Sequence, residues 1–492
     1  MKKKTVIYIL VLFGFIIPNF SCTKDLKLTP TSIISVNSFW KTPDDANGGL
    51  YGMYDMFRNF AKGDLYLLGE ARSEMMGNGI QNADFRIKYF ENTLDASNAD
   101  LNWYTPYRVI DYANLVLKNV PGITFPVEAK KNSILAQAYA MRAYIYFTLA
   151  KSWGDVPLIT QPTEGYDAKS TFKERTPVAE VFDTIKADIN KALSLFPNNN
   201  FPAGRSTWSK PATFMLKGDV YLWTGKVMAG GTTDISTSLN ALDSAQNSDI
   251  QLLPHYSDIF SYYNKGNKEV LFAVHFDELE ATNNYFADMY IAPGDIPPTL
   301  DPATAAKLGI GGNYNWWAPT ALVRNQFTDD DQRKAASFLE LYSHINGVDK
   351  FVTSVVLKGN GFIKDGARRF VCDVIIYRYG ELLLLKAEAE NALGMDPSAE
   401  INAVRQRAYG NNYPSHIFVS GSIAENDDAI LKERLLELAF EGKRWWDLIR
   451  FGKAFDLVPS LQGRQGSPYL LLWPVTQQTI TLNPKIQQTP GY

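Results

Sequence analysis

The chain has 492 residues, 46% hydrophobic and 21% charged, the make-up of a globular protein with a large core. Its 49 basic and 52 acidic residues leave a formal net charge of -3, without the basic excess that nucleic-acid binding requires. Aromatic content is the marked bias: 10 Trp, 26 Tyr and 28 Phe serve a core but also suit a surface that stacks on flat ligands.

Residues 1–21 read as a signal peptide. Lys2, Lys3 and Lys4 precede an apolar stretch over residues 6–17, about a dozen residues where a bilayer span needs roughly 20. Cys22 follows the small Ser21 where that stretch ends. Two readings compete, lipidation of Cys22 and ordinary cleavage that leaves a stray thiol. The placement of a small residue directly before a cysteine favours lipidation, although Asn19 stands where a lipobox carries an aliphatic residue. Acyl chains would anchor the protein by about 0.8 kcal/mol per buried CH₂. Cys372, in the apolar run 370–376, then has no partner and is expected to be a buried thiol.

Residues 22–37 are polar and turn-rich, a lipidated leader. The remainder, 38–492, is expected to form one domain in three parts: a helical 38–250, a loop-rich 251–366 and a helical 367–492. A first helix is expected near Thr42, which can cap it, with Pro43 in the first turn and Asp44 and Asp45 at the positive end of its dipole. Helices over 102–120 and 128–153 form a hairpin. In the second, Ile134, Ala138, Met141, Ile145 and Leu149 make one stripe. Helices over 177–195, 211–226 and 236–246 repeat the pairing, which suggests a tetratricopeptide-like stack without a strict period.

From 251 to 366 glycines, prolines and aromatics replace the helical period, and 268–274 reads as a short strand. Loops this long within a compact domain carry function or are disordered, and the aromatic content argues against disorder. Helices return over 373–393, 397–408 and 427–452. In the last, Leu431, Leu435, Leu438, Gly442, Trp445 and Ile449 form an apolar stripe, and Arg434, Glu437, Glu441 and Arg444 a charged one. That charged stripe reads as a solvated or ion-paired face, in preference to a catalytic one. The fold class is therefore mainly α, a scaffold of helical pairs with irregular insertions and a few short strands.

Five segments together resemble the SusD/RagB outer-membrane lipoproteins. They are Arg142-Ala143-Tyr144-Ile145-Tyr146-Phe147 running on to Trp153-Gly154-Asp155-Val156-Pro157-Leu158; Arg205-Ser206-Thr207-Trp208 leading into Gly218-Asp219-Val220-Tyr221-Leu222; and Tyr377-Arg378-Tyr379-Gly380-Glu381 with Ala387-Glu388-Ala389. The fourth is Glu433-Arg434, Glu437-Leu438-Ala439-Phe440-Glu441-Gly442 and Arg444-Trp445-Trp446-Asp447-Leu448-Ile449-Arg450. The last is the tail from Trp473-Pro474-Val475 to Thr489-Pro490-Gly491-Tyr492. The resemblance implies a single α-rich domain that is not an enzyme. It implies binding of oligosaccharide at the cell surface and work as a lid on a SusC-like TonB-dependent transporter. It also implies an outer-membrane location through the lipid anchor, facing the exterior. The post-cysteine stretch Thr23-Lys24-Asp25-Leu26 is less acidic than surface-export signals often are.

A sugar site needs aromatic faces and a few amide or guanidinium donors. Trp103, with Asn98 and Asn102 in a polar loop before a helix, is the first candidate; a tryptophan packed at the start of the helix is the equal alternative. Tyr314, Asn315, Trp316 and Trp317 are the second. Flanking glycines and Pro319 argue against a core helix there, and at least one of the adjacent tryptophans is expected to face solvent. Arg72, in a loop-like stretch, and Tyr285 and Tyr290, near Asn283 and Asn284, are further candidates. Trp153, Trp223, Trp445 and Trp446 are expected in the core. A glycoside hydrolase is a rival class, with Asp329, Asp330, Asp331, Glu278 or Glu280 as carboxylates, but no motif supports them. A peptide-binding protein of the same architecture is another. The four histidines are scattered and no twelve-residue calcium loop is visible, so no metal or other cofactor is assigned, although loop carboxylates are compatible with structural calcium.

Overall fold

The computed structural model describes residues 39–492 except 82–83, 164, 166–170 and 281–282. The signal peptide, Cys22 and the leader thus lie outside the described residues. The chain divides into two compact units, Met1–Lys41 and Thr42–Tyr492; the second carries all that follows.

Helix α1 (Pro43–Ala61) opens on a capping box: Thr42 Oγ1 accepts from Asp45 N, and Asp45 Oδ2 accepts from Thr42 N. Then come α2 (Asp64–Glu70), strand β1 (Met76–Asn78), α3 (Asp84–Phe90), α4 (Tyr104–Asn119) and α5 (Glu128–Trp153). Helices α6 (Val178–Leu195), α7 (Lys210–Val227) and α8 (Gly231–Ala245) complete the N-terminal scaffold. Neighbours pack in order, α4 on α5, α5 on α6 and α7 on α8, as stacked helical pairs. From Ala138 onward α5 is buried on nearly every side, so its apolar surface is wider than the single stripe read from sequence. Its one buried guanidinium is fully used. Arg142 binds Asp188 of α6 through Nε and Nη2 at 2.7 and 2.8 Å, and Asn114 of α4 through Nη1 at 2.7 Å.

The middle of the chain contributes β2 (Val270–Val274), β3 (Trp317–Pro319), the hairpin β4 (Phe338–Ile345) and β5 (Val348–Val356), and the short β6 (Phe362–Lys364) and β7 (Ala367–Arg369). β8 (Val374–Arg378) runs into α9 (Tyr379–Ala392), followed by α10 (Ser398–Tyr409), α11 (Ile423–Leu438), α12 (Arg444–Arg450) and α13 (Gln477–Leu482), with further short helical segments between these elements. Among the described residues all sheets are two-stranded and antiparallel: β1–β3, β2–β8, β4–β5 and β6–β7. β1 and β3 are 241 residues apart at the Met76–Asn78/Trp317–Pro319 pairing, so the insertion is stitched to the N-terminal part.

Two expected helices are corrected. The stretch 373–393 begins as strand, because Val374–Arg378 pairs with β2 before the helix starts. The stretch 427–452 is two helices. Phe440 and Gly442 have φ of +66° and +75°, which breaks the run after Leu438. The freed N–H groups of Phe440, Lys443 and Arg444 donate to the Glu70 carboxyl at 3.0–3.2 Å. Gly69 allows this approach, since a Cβ there would lie 1.9 Å from the Gly442 carbonyl oxygen.

The charged stripe is not solvated. Arg434, Glu437 and Arg444 are buried and Glu441 is nearly so. Arg378 binds Glu437 at 2.6 Å, Glu441 at 2.8 and 2.9 Å, and Glu269 at 3.0 Å. Arg407 also reaches Glu437 and Glu269, Lys358 pairs with Glu441, and Arg333 with Asp331 and Glu433. Cys372 is a buried thiol, pushed up to about 11 chiefly by burial. Trp153, Trp223, Trp445 and Trp446 lie in the core.

A second buried set joins α9 to α12. Burial alone would raise the Glu388 carboxyl, but Arg450 at 2.7 Å and Lys226 at 3.0 Å hold it at about 2. Its folded-state value lies below the usual 4.5, so its contribution is present above pH 4.5 and is lost as pH falls toward 2. Glu388→Gln is expected to cost about 3–5 kcal/mol at pH 7, as removal of one member of a buried pair does. Urea unfolding of wild type and variant at pH 7 and pH 3 checks this: the difference between them should shrink at the lower pH.

Candidate ligand-binding site

The second aromatic candidate forms a platform on the loop that leads into β3. Asn315 is buried with φ of +49° and organises it. Its Oδ1 accepts from Ile80 N at 2.9 Å and Thr353 Oγ1 at 2.7 Å, and its Nδ2 donates to Ser354 O at 3.1 Å. Gly79 lets the two backbones meet, because a Cβ there would sit 1.8 Å from Asn315 O. With Asn315 turned inward, its neighbours turn outward. Tyr314 is 51% exposed and stacks on the half-buried Trp316, ring centroids 5.1 Å apart and planes 11° apart. Phe85, also 51% exposed, meets Trp316 edge-on at 5.5 Å. The Arg86 guanidinium lies 5.5 Å from the Trp316 ring and 4.4 Å from that of Trp317.

Trp317 points the other way and is core, packed among Tyr66, Tyr89 and Phe90. Trp316 immediately precedes β3, its carbonyl accepting from Gly79 N, and successive residues of such extended chain face opposite sides, which explains the split. Asn315 and Trp317 are therefore corrected from ligand contacts to supports of the platform.

Trp103 is 6% exposed and packs edge-on to Trp153, with its Nε1 buried and unpartnered. One edge of it lines a cleft of about 640 Å³ together with Asn102, Tyr104, Tyr107, Asp64 and Gln478. Asn102 Oδ1 accepts from Tyr104 N, which starts α4. Asn98 is half-exposed, but its amide is engaged within its own loop, accepting from Asp95 N and donating to Thr93 O. The platform and the cleft are linked through α3. Phe85 lies against Trp316, while one turn further on Lys88 and Tyr89 bind Asp100 of the cleft at 2.6 and 3.1 Å.

Three candidates are displaced to the interior. Arg72 is fully buried, stacked 4.6 Å from the Trp445 ring; it donates to Asn92 Oδ1, Leu472 O and Leu470 O, so no N–H faces a ligand. Tyr285 is buried against Tyr66, and Tyr290 is buried with its hydroxyl on Leu308 O. In each case the covering groups come from distant sequence. Phe85 and Arg86 were not singled out from sequence, although Phe85 and Tyr89 at a four-residue step signal an aromatic helix face. Asp64 and Gln478 reach the cleft from 414 residues apart in the chain and carry no local signal.

The rival carboxylates are all held by a basic side chain or a histidine. Asp329 lies 2.6 Å from Lys334, Asp330 2.7 Å from His416 and Asp331 2.8 Å from Arg333. Glu278 pairs with Lys364 and Arg369, and Glu280 with Arg58. Among the described residues no cluster of three or more His, Cys, Asp or Glu is arranged to hold a metal, and no helix is long and apolar enough to cross a membrane.

The motifs quoted from sequence meet in space. Trp153 Nε1 donates to Pro474 O, Trp473 N to Ser152 O, and Tyr377 Oη to Asp219. Family comparison agrees with this geometry. A model described as the SusD family matches residues 347–492, and one described as starch-binding associating with outer membrane matches 50–222. The B. fragilis protein NanU superposes with a TM-score of 0.84 at 33% identity, covering 94% of this chain and 99% of that one. A SusD superfamily protein from Bacteroides vulgatus gives 0.83 at 32% identity, covering 92% and 100%. The starch-binding protein SusD of Bacteroides thetaiotaomicron is 22% identical over 78% of this chain and 77% of its own. The chain belongs to the SusD family.

Proposed function

We propose that this protein is a non-catalytic, lipid-anchored glycan-binding protein of the outer membrane, which captures oligosaccharide at the cell surface and passes it to a SusC-like TonB-dependent transporter. The observation that carries the reading is the exposed Tyr314 ring stacked on Trp316, with Phe85 beside it. A pyranose has one face of C–H groups and a rim of hydroxyls, and an outward aromatic face held rigidly from below suits the first. Asn102 and Gln478, near enough to share a 3.5 Å contact, belong to the Trp103 cleft and offer amides to hydroxyls there. The name of the B. thetaiotaomicron relative and the description of the family model over 50–222 support a glycan ligand and an outer-membrane setting. That each rival carboxylate is tied to a lysine, an arginine or a histidine supports binding without hydrolysis, since a general acid must be free to hold and release a proton.

Calorimetry of the mature domain against a polysaccharide panel tests this. Tyr314→Ala and Trp316→Ala are each expected to weaken the glycan that binds by about tenfold or more. Tyr314→Ala should leave the melting temperature unchanged, because its ring is half in solvent. Undiminished affinity in both variants, or release of reducing ends from the bound glycan, would contradict the reading. Asn315→Ala should act differently. It strands buried partners, so it is expected to cost about 2–3 kcal/mol of stability and to weaken binding without touching the ligand; urea unfolding alongside calorimetry separates the two effects.

A further inference from the structure

The cleft beside Trp103 has the volume of a small-ligand site, about 640 Å³, and its walls are largely apolar: Tyr104, Tyr107, Pro157, Ile159 and Leu482 with the edge of Trp103. Two carboxyls line it, and they differ in what they touch. Asp100 has its counter-charge, Lys88 at 2.6 Å, and a hydroxyl donor, Tyr89 at 3.1 Å. Asp64 has neither an ion-pair partner nor a hydrogen-bond donor among the described residues, and burial alone pushes its carboxyl up to about 6. Lys173, the cation on the cleft lining, is exposed and forms no ion pair with it. At neutral pH the Asp64 carboxylate is thus a half-dry charge without its complement.

A ligand that brings a cation supplies that complement. Aromatic rings line the same cleft, and a cation gains from a ring face as well as from a carboxylate. Resting on the glycan reading above, we propose that this cleft is a subsite distinct from the Tyr314–Trp316 platform, which selects sugars bearing a free amine by seating the ring among Trp103, Tyr104 and Tyr107 with its ammonium on Asp64. The chemistry is that of an amino sugar that carries no N-acetyl group, since acylation removes both the charge and two of the donors.

Calorimetry at pH 7 on the mature protein, with a glucosamine tetramer, its fully N-acetylated form and a neutral glucose tetramer, tests the assignment. The free-amine tetramer is expected to bind at least tenfold tighter than the N-acetylated one. Asp64→Asn should bring the two to parity while neutral-glycan affinity holds, and Asp64→Glu should keep a preference. Equal binding of the two forms by wild type, or a preference that survives in Asp64→Asn, overturns the subsite and leaves the platform reading standing. Failure of every glycan in the panel overturns the platform reading and, with it, the subsite that rests on it. A lysine-containing peptide that binds through Asp64 where the glucosamine tetramer does not would overturn the amino-sugar assignment.

Discussion

Arg378 stands at the physical centre of the fold. A guanidinium with no exposed surface is tenable only if every face meets an acceptor, and Arg378 meets the carboxyls of Glu269, Glu437 and Glu441 and the carbonyl of Glu437. Those acids serve Arg407 and Lys358 in turn, and Arg333 joins through Glu437 at 3.4 Å. The set draws Glu269, Arg333 and Lys358 from the irregular middle of the chain onto α10, α11 and the turn after it. Such a network adds less net stability than apolar packing would, but each member becomes hard to remove, because deletion leaves a charge buried without a partner. It therefore holds in place an insertion whose sheets, each of two strands, would not be stable alone.

That constraint reaches the ligand face by short steps. The turn Phe440–Lys443 is fixed from α2 by the Glu70 carboxyl, and Arg444 of α12 binds Glu74 at 2.6 Å. Residues just beyond Glu74 form β1, which pairs with β3, and the Tyr314–Trp316 loop feeds β3. The aromatic platform is thus held by main-chain pairing and the Asn315 amide, with buried ions behind them. A rigid aromatic surface loses little freedom on binding, which is what weak C–H contacts need in order to give useful affinity.

Much of the scaffold was legible because long helices advertise themselves locally. The span 128–153 matches α5 at both ends, with Gly154 at φ +71° closing it, and 177–195 matches α6 within a residue. The break after Leu438 was not legible, since its cause is Glu70, some 370 residues away. The charged stripe was legible as an ion-paired face, but its burial was not, because the cations that allow it come from other segments. At the site, Tyr314 and Trp316 could be read from their glycine-rich surroundings. Arg72 could not, because Leu470, Leu472 and Trp445 cover it from the far end of the chain. Asp64 was invisible, since nothing near it in sequence marks a carboxyl left without a cation.

Of the ten tryptophans, eight are buried, and within Thr42–Tyr492 only Trp316 keeps appreciable exposure. Hydroxyl-radical footprinting read by mass spectrometry, with and without a saturating glycan, therefore tests the platform directly. The account predicts that bound glycan lowers oxidation of Trp316, Tyr314 and Phe85 severalfold while Tyr263, exposed elsewhere, is unaffected. Binding that leaves Trp316 and Tyr314 as reactive as in the free protein would contradict it.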